Sequence, residues 1–449
     1  MNKIIIVICA FIICLGLGFS GYQSVAIALS GMFVLDLFLA SNEKIAFKEL
    51  LLVLFSVNYL FSPAMSYNAG ETDYVYKMKI PEEQYFDLAI PSMLILWAVV
   101  SLISNKIFKP NFVQFKLDVA KNKELIVRML LFGIVLNLSS RFMPGELGFI
   151  VYLVSMLRFI AGFSLYFYDR KKYKWHLVFL LVFEFSNSLS QGMFHDPVIW
   201  FLLFGLVWTY VNKPQLMTKL LLGVLLFFSY VILQNTKAVY RGQMASKGAG
   251  FSTFFESVQG TVGEEGGVLS EDNTTSAINR VNQAWIFAST VNNMDKNHDF
   301  QGMSLAIKYL EAAILPRVLA PNKLQAGDKN IFNKYSGHYI SKGTSMGLGI
   351  FADGYIAYGY FGSLLFSLLF ALQFLGVVKV VEYWSKQKTI ITVLFIFPIA
   401  FYALRPDCET QTLITHIVKS IIIFAFLMYV YKPKKAYFQS RKAVPVEAV

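Results

Sequence analysis

Charge is scarce in this 449-residue chain: only 15% of positions are Asp, Glu, Lys or Arg. Soluble globular proteins carry about 25%, so the deficit excludes an ordinary water-soluble enzyme. Cysteine occurs three times, at Cys9, Cys14 and Cys408, with no CxxC or CxxH pair. That argues against a structural metal and against a disulfide frame. The five histidines are scattered and no HExxH is present, which disfavours zinc chemistry. No GxxxxGK(S/T) loop exists for hydrolysing ATP, and no GxSxG elbow for a serine nucleophile. Paired carboxylates of the DxD type are also missing; Glu264–Glu265 and Glu271–Asp272 lie in Gly- and Ser-rich sequence and read as solvated. A metal-dependent transferase using sugar nucleotides is therefore disfavoured. No metal and no cofactor is expected.

What is abundant is apolar: 56% of residues are hydrophobic, and they fall in runs. About twelve runs are long enough, or nearly so, to cross a bilayer as helices, with cores near 4–19, 22–40, 49–63, 88–104, 125–140, 147–167, 176–193, 196–211, 220–235, 355–378, 389–404 and 412–431. Every even-numbered run exits into lysine-rich sequence, such as YDRKKYKW and KPKKAYFQSRKA, whereas the odd-numbered exits are neutral, acidic or mixed. This alternation satisfies the positive-inside rule for a chain with both ends in the cytoplasm. It also accounts for the net charge of +12 without invoking nucleic acid. The opening MNKIIIVICAFIICLGLGFSGYQ resembles a secretory signal, but more apolar runs follow at once, so it is read as a retained first span.

The expectation is an all-α polytopic membrane bundle of about twelve helices with a large extracytoplasmic loop. Residues 1–235 form an N-terminal bundle of about nine spans, 236–350 the outer loop, 351–431 a C-terminal bundle of about three spans, and 432–449 a basic cytoplasmic tail.

Two groups of polar residues stand out. Arg158 falls near the middle of the sixth run and Glu184 in the seventh. Glu184, Asn187, Ser188 and Gln191 share a helix face that leads to His195 and Asp196. Either this stripe lines a cavity open to the outside, or Arg158 and Glu184 are a structural pair. Asp36 and Lys419 are further charges within apolar runs. The second group is arginine: Arg241, Arg280 and Arg317 in the outer loop, Arg141 and Arg405 at other outer exits. Arginine grips phosphate and carboxylate through a planar fork. Individually each suits a loop salt bridge; as a set they suit a pyrophosphate or an anionic glycan.

The segment from GMSLAIKYLEAAILPRVLAPNK to TSMGLGIFADGYIAYGYFG carries Pro316, Arg317, Pro321, Lys323, Thr344, Ser345, Gly347, Gly354, Tyr355, Gly359 and Gly362. In this pattern, and in its layout of twelve spans with a large outer loop before the last three, the chain resembles the Wzy-type oligosaccharide repeat-unit polymerases of bacteria. Asp353 departs from the Glu that many such proteins carry nearby, and a second arginine-rich outer loop is missing. The resemblance implies a GT-C-like membrane fold in the bacterial inner membrane. It implies transfer of a growing glycan from undecaprenyl pyrophosphate to the terminal hydroxyl of a lipid-linked repeat unit. Its partners would be that lipid-linked oligosaccharide, the lipid bilayer, and a chain-length regulator and flippase of the same pathway. Arg317, held by Pro316 and Pro321, would stabilise charge on the leaving pyrophosphate together with Lys323. Arg280 would also act at the chemistry, while Arg241, Arg141, Arg405 and Tyr355 would bind substrate. His338 and Asp353 are candidates for the base, with Glu184 a weaker one. A ligase using the same donor, and a flippase for lipid-linked sugar, are the alternatives.

Overall fold

In a computed structural model the residues described are 3–70, 76–140, 142–143, 145–263, 275, 278–279, 281–315, 319–325, 327–340, 346–387 and 390–431. Among them every regular element is helical. The N-terminal part comprises α1 (Lys3–Gly16), α2 (Gly21–Ala40), α3 (Phe47–Ser56), α4 (Ser62–Ala69), α5 (Glu82–Ser101), α6 (Phe112–Lys121), α7 (Lys123–Ser140), α8 (Gly145–Ser155), α9 (Leu157–Tyr168), α10 (Arg170–Gln191), α11 (His195–Asn212) and α12 (Leu216–Lys247). Then follow α13 (Phe251–Gly263), α14 (Ala284–Asn297), α15 (Met303–Ile314), α16 (Lys329–Ser336), α17 (Ile350–Gln387), α18 (Ile396–Ile399) and α19 (Thr410–Tyr431).

Seven helical stretches are long and apolar enough to cross a membrane: 21–40, 47–69, 82–101, 147–168, 216–244, 350–385 and 410–430. This is a helical membrane protein. The other expected runs are also helical, as α1, α7, α10, α11 and the short turns of 390–404, but they fall short in length or apolar character. Helix α12 continues to Lys247, into the stretch expected to be loop.

Local sequence explains several boundaries. Ser20 and Gln23 form a capping box at the start of α2, with Ser20 Oγ accepting from the Gln23 amide at 3.1 Å. Asp169 accepts from the Lys172 amide at 3.0 Å to start α10, which ends at Gly192 in the left-handed region. Aromatic rings fill the centre. Phe47 stacks between Phe374 and Phe397, and Phe159 lies on Trp200 with centroids 3.8 Å apart.

Among the described residues, three apolar segments are broken. Between α3 and α4 the helix widens into a π turn at Val57–Phe61. Helix α17 breaks at Tyr358 and Gly359, where Gly359 has φ 61°. Residues 350–357 then fold back on the start of the long second half, and Ser363 Oγ donates to the Phe351 carbonyl at 2.9 Å. The eleventh expected run, 389–404, is not one helix. Within 390–404, tight 3₁₀ turns flank the four-residue α18. Its core, Val393 to Leu404, is almost wholly buried in protein, the setting in which irregular backbone is tolerated at membrane depth. His416 of α19, fully buried, bonds through Nε2 to the Pro398 carbonyl at 2.7 Å.

Arg158 and Glu184 form a buried ion pair joining α9 to α10, and Arg158 Nη1 also donates to the Ser155 carbonyl and hydroxyl at 2.7 Å each. The structural reading of that pair is the one the geometry favours. Asn187, on the same face as Glu184, donates to Asn137 Oδ1 of α7 at 2.7 Å.

The fold-back of α17 depends on two glycines. A Cβ on Gly354 would fall on the Gly362 carbonyl oxygen, and one on Gly362 would fall on the Gly354 carbonyl. Backbone, unlike a long side chain, cannot swing away. Gly354→Ala is expected to cost roughly 1–3 kcal/mol, as overpacked sites do. The check is a lowered thermal midpoint of the purified protein, with Gly205→Ala, where a Cβ meets nothing within 4 Å, as the control that does not lower it.

Candidate functional site

The breaks converge. Tyr59 lies in the π turn, and its carbonyl accepts from the Tyr85 hydroxyl at 2.9 Å. Its own hydroxyl donates to the Pro406 carbonyl at 3.0 Å. Gly349, with φ +84°, packs so closely that any Cβ would strike the Tyr59 hydroxyl. A Cβ on Gly347 would strike the Asp407 carbonyl, and the Gly347 carbonyl accepts from Gln283 Nε2 at 2.9 Å. Thus 346–349, just before α17, and 405–409, just before α19, are clamped to each other and to Tyr59.

Two carboxylates organise the start of α19. Asp353 is fully buried and accepts from the Thr410 amide at 2.7 Å and the Tyr309 hydroxyl at 2.9 Å. The first accounts for an otherwise orphan N–H and places negative charge at the positive end of the helix dipole. Glu409 accepts from the Gly327 amide at 2.6 Å and the Thr412 hydroxyl at 2.8 Å. Gln411 donates to the Leu324 carbonyl at 2.9 Å. Tyr309, Leu324 and Gly327, from the segment between α14 and α17, are thereby tied to one helix end.

Beside this lies a cluster of charge. Arg405 Nη2 donates to Asp407 Oδ2 at 3.2 Å, and Nη1 lies 3.6 Å from Asp196 Oδ1. The guanidinium sits over the Tyr402 ring at 5.1 Å. Asp196 accepts from the Tyr152 hydroxyl at 2.8 Å, and His195 Nδ1 is 3.8 Å from its other oxygen. His195, Asp196 and Asp407 keep partly exposed side chains, so the cluster opens to the surface. Arg405 Nε is buried and finds no acceptor among the described residues. The protein around Asp407 disfavours its charge, but Arg405 prevails and holds the carboxyl below its ordinary range. A second arginine approaches the same turn from another helix: Arg241 Nε donates to the Gly192 carbonyl at 2.9 Å. Residues 192–196 therefore receive Arg241 from α12 and Arg405 from the turn before α19. Such a site can bind an anion, and it carries a histidine and carboxylates able to move a proton.

The other expected residues are dispersed. Arg141, Arg280, Arg317, Thr344 and Ser345 lie outside the described residues. Lys323 is buried and donates to the Leu315 carbonyl at 2.5 Å. His338 bonds to Ser289 Oγ at 2.9 Å and packs edge-on to Trp285, both on α14. It is held there rather than at Asp353. The Tyr355 ring is buried and its hydroxyl donates to Asp295 Oδ1 at 2.5 Å. Glu184 is committed to Arg158. Tyr59, Tyr309, Glu409 and His416 were not singled out from sequence. The signal for Glu409 was present, as an acid immediately before an apolar run. Tyr59 and His416 sit inside apolar runs, where nothing local marks them.

The fold and the site define a helical membrane protein with a charged cluster beside the first turn of its last span. The chain belongs to the family described as Domain of unknown function (DUF8712), whose match covers residues 8–437. No curated protein and no solved structure matches it.

Two expectations test the geometry. Asp353→Leu would strand the Thr410 amide and the Tyr309 hydroxyl, each at about 1–3 kcal/mol, whereas Tyr309→Phe would cost about 1 kcal/mol. Thermal unfolding of both variants should return that order. For His338, burial, aided by Lys79, pushes the imidazole below its ordinary 6.5. The folded state then favours the neutral ring, and the unfolded chain binds more protons between the two values. Its contribution is present above pH about 6.5 and is lost as pH falls through the folded value. The acid-side drop in thermal midpoint should shrink in His338→Gln.

Proposed function

We propose that this protein is a membrane glycosyltransferase of the repeat-unit polymerase type. It has twelve spans, a GT-C-like architecture and both ends in the cytoplasm of a bacterial cell. It acts outside the cytoplasm on glycans carried by undecaprenyl pyrophosphate, and needs neither nucleotide nor metal. The observation that carries the reading is the clamp between 346–349 and 405–409. It unites the segment bearing the polymerase-like pattern with the Arg405 cluster, which receives Arg241 through the 192–196 turn.

In this reading the acceptor hydroxyl attacks the anomeric carbon of the donor sugar. The bond from that carbon to the pyrophosphate oxygen breaks, and the lipid pyrophosphate leaves with the added negative charge. Arg317 meets that charge, with Arg280 beside it, in the manner of donors aimed where charge develops. Arg405, Arg241 and Arg141 hold the anionic groups of donor or acceptor. Lys323 and Asp353 act as positioning residues. Lys323 holds the Leu315 carbonyl, and Asp353 fixes Tyr309 to the last span. The open carboxylate beside a histidine, Asp196 with His195, takes the hydroxyl proton in place of the engaged His338 and Asp353.

A flippase for lipid-linked sugar is the second reading. The broken segments at 57–61, 358–359 and 390–404 favour it, since discontinuous helices mark transport sites in several folds.

The test is the length of lipid-linked glycan in cells carrying Arg317→Ala, with membrane abundance of the protein checked alongside. Transfer should fall on the order of 10²–10³-fold, leaving single repeat units on the outer face. Unchanged long chains would remove Arg317 from the chemistry, and absence of any outward-facing glycan would favour the flippase.

A further inference from the structure

Helix α15 belongs to the stretch expected to be extracytoplasmic loop, yet it is apolar on two sides. Leu305, Tyr309, Ala312 and Ala313 are buried, and the helix packs along α19. A second stripe, Met303, Ile307, Leu310 and Ile314, repeats at i, i+4, i+7 and i+11 and is bare, at 63%, 59%, 48% and 61% exposure. Leu315 and Leu319 extend it beyond the helix, Leu319 at 71%. The exposed polar residues Ser304, Lys308 and Glu311 occupy one flank between the two stripes. A helix in water has no use for two apolar faces.

The face of α19 beneath it indicates what covers the second. In the inner half of α19, Ile422 and Phe426 are both 62% exposed, as lipid-facing residues of a span are. Followed outward along the same helix face, the positions are Val418, Thr415 and Gln411. None of these is exposed. Helix α15 packs on α19, and the Leu324 carbonyl accepts from the Gln411 amide in the first turn of that span. At its other end Gly302 donates to the Ala357 carbonyl at 2.9 Å, beside the outer break of α17. The chain thus leaves the outer end of α17, runs down α19 and returns to the first turn of α19.

We infer that helix α15 and residues 319–325 are seated in the outer leaflet of the bilayer, as a re-entrant element beside α19. Its Met303–Ile307–Leu310–Ile314 stripe and Leu319 lie against lipid, and Ser304, Lys308 and Glu311 face the water and headgroup side. The occupant of the bare stripe is lipid because α15 packs on a span whose own bare residues, Ile422 and Phe426, are those a bilayer covers. The inference does not rest on the glycosyltransferase reading.

The experiment places a nitroxide on single cysteines in the full-length protein reconstituted in phosphatidylcholine–phosphatidylglycerol bilayers. Cys14 and Cys408 are buried, so a Cys9→Ala background suffices. Collision with oxygen reports lipid, and collision with a water-soluble nickel chelate reports solvent. Ile307→Cys, Leu310→Cys and Ile314→Cys are expected to collide with oxygen several-fold more than with chelate, matching Phe426→Cys on α19. Lys308→Cys should show the reverse. Chelate-dominated collisions at 307, 310 and 314, with Phe426→Cys still reading lipid, would overturn the inference by placing the stripe in water. Protection from both reagents would overturn it too, since protein would then cover the stripe. Loss of Arg317 function with a lipid-facing stripe, or the converse, separates this inference from the catalytic one.

Discussion

A broken helix inside a bilayer frees backbone carbonyls that no water can satisfy, and the interior of this protein is arranged around that constraint. Tyr85 takes the carbonyl of Tyr59 at the π turn, Tyr59 takes that of Pro406, and Gln283 takes that of Gly347. His416 takes that of Pro398. The donors come from separate parts of the chain, so each satisfied carbonyl also fixes one segment against another. The charged cluster is a by-product of the same arrangement. Arg405 and Asp407 occupy the irregular turn that Tyr59 pins in place. The first turn of α19 is held by Asp353 and Glu409 from its outer side.

Glycine is the second part of this arrangement. Gly347 and Gly349 permit contacts with Asp407 and Tyr59 that no side chain would allow, and Gly354 and Gly362 allow the fold-back of α17. Two of the three breaks therefore meet through positions without a Cβ. The segment between α14 and α17 is drawn onto the bundle by the same elements: Tyr309, Leu324 and Gly327 reach residues 353, 411 and 409 respectively. What reads as a long connector is, over these residues, an extension of the membrane bundle.

The helical membrane class was legible from composition and from the spacing of apolar runs, because each span must satisfy its own backbone. The 389–404 run was misread as a helix, since its hydrophobicity reports burial and says nothing of dihedral angles. The break at Gly359 lay within the quoted YGYFG sequence, but a glycine there is equally a packing residue until a partner is known. The Arg158–Glu184 pair was readable because charges in apolar runs require partners. Arg405 and Arg241 were nominated by residue type, yet their approach to one turn depends on helices far apart in sequence. Tyr59 and His416 carried no local mark, since each acts on a carbonyl freed elsewhere in the chain.

The Arg158–Glu184 pair also bears on biogenesis. Each charge alone adds about 2.5–3.5 kcal/mol to the cost of inserting its helix. The two helices are consecutive, α9 and α10, joined through Asp169 alone, which caps the basic first turn of α10. They are therefore suited to leave the insertion machinery as a hairpin, with the opposite charges already paired before either helix meets hydrocarbon. A ribosome pausing between them would expose an unpaired arginine to lipid, which makes the spacing of these two helices a constraint on synthesis as well as on the finished fold.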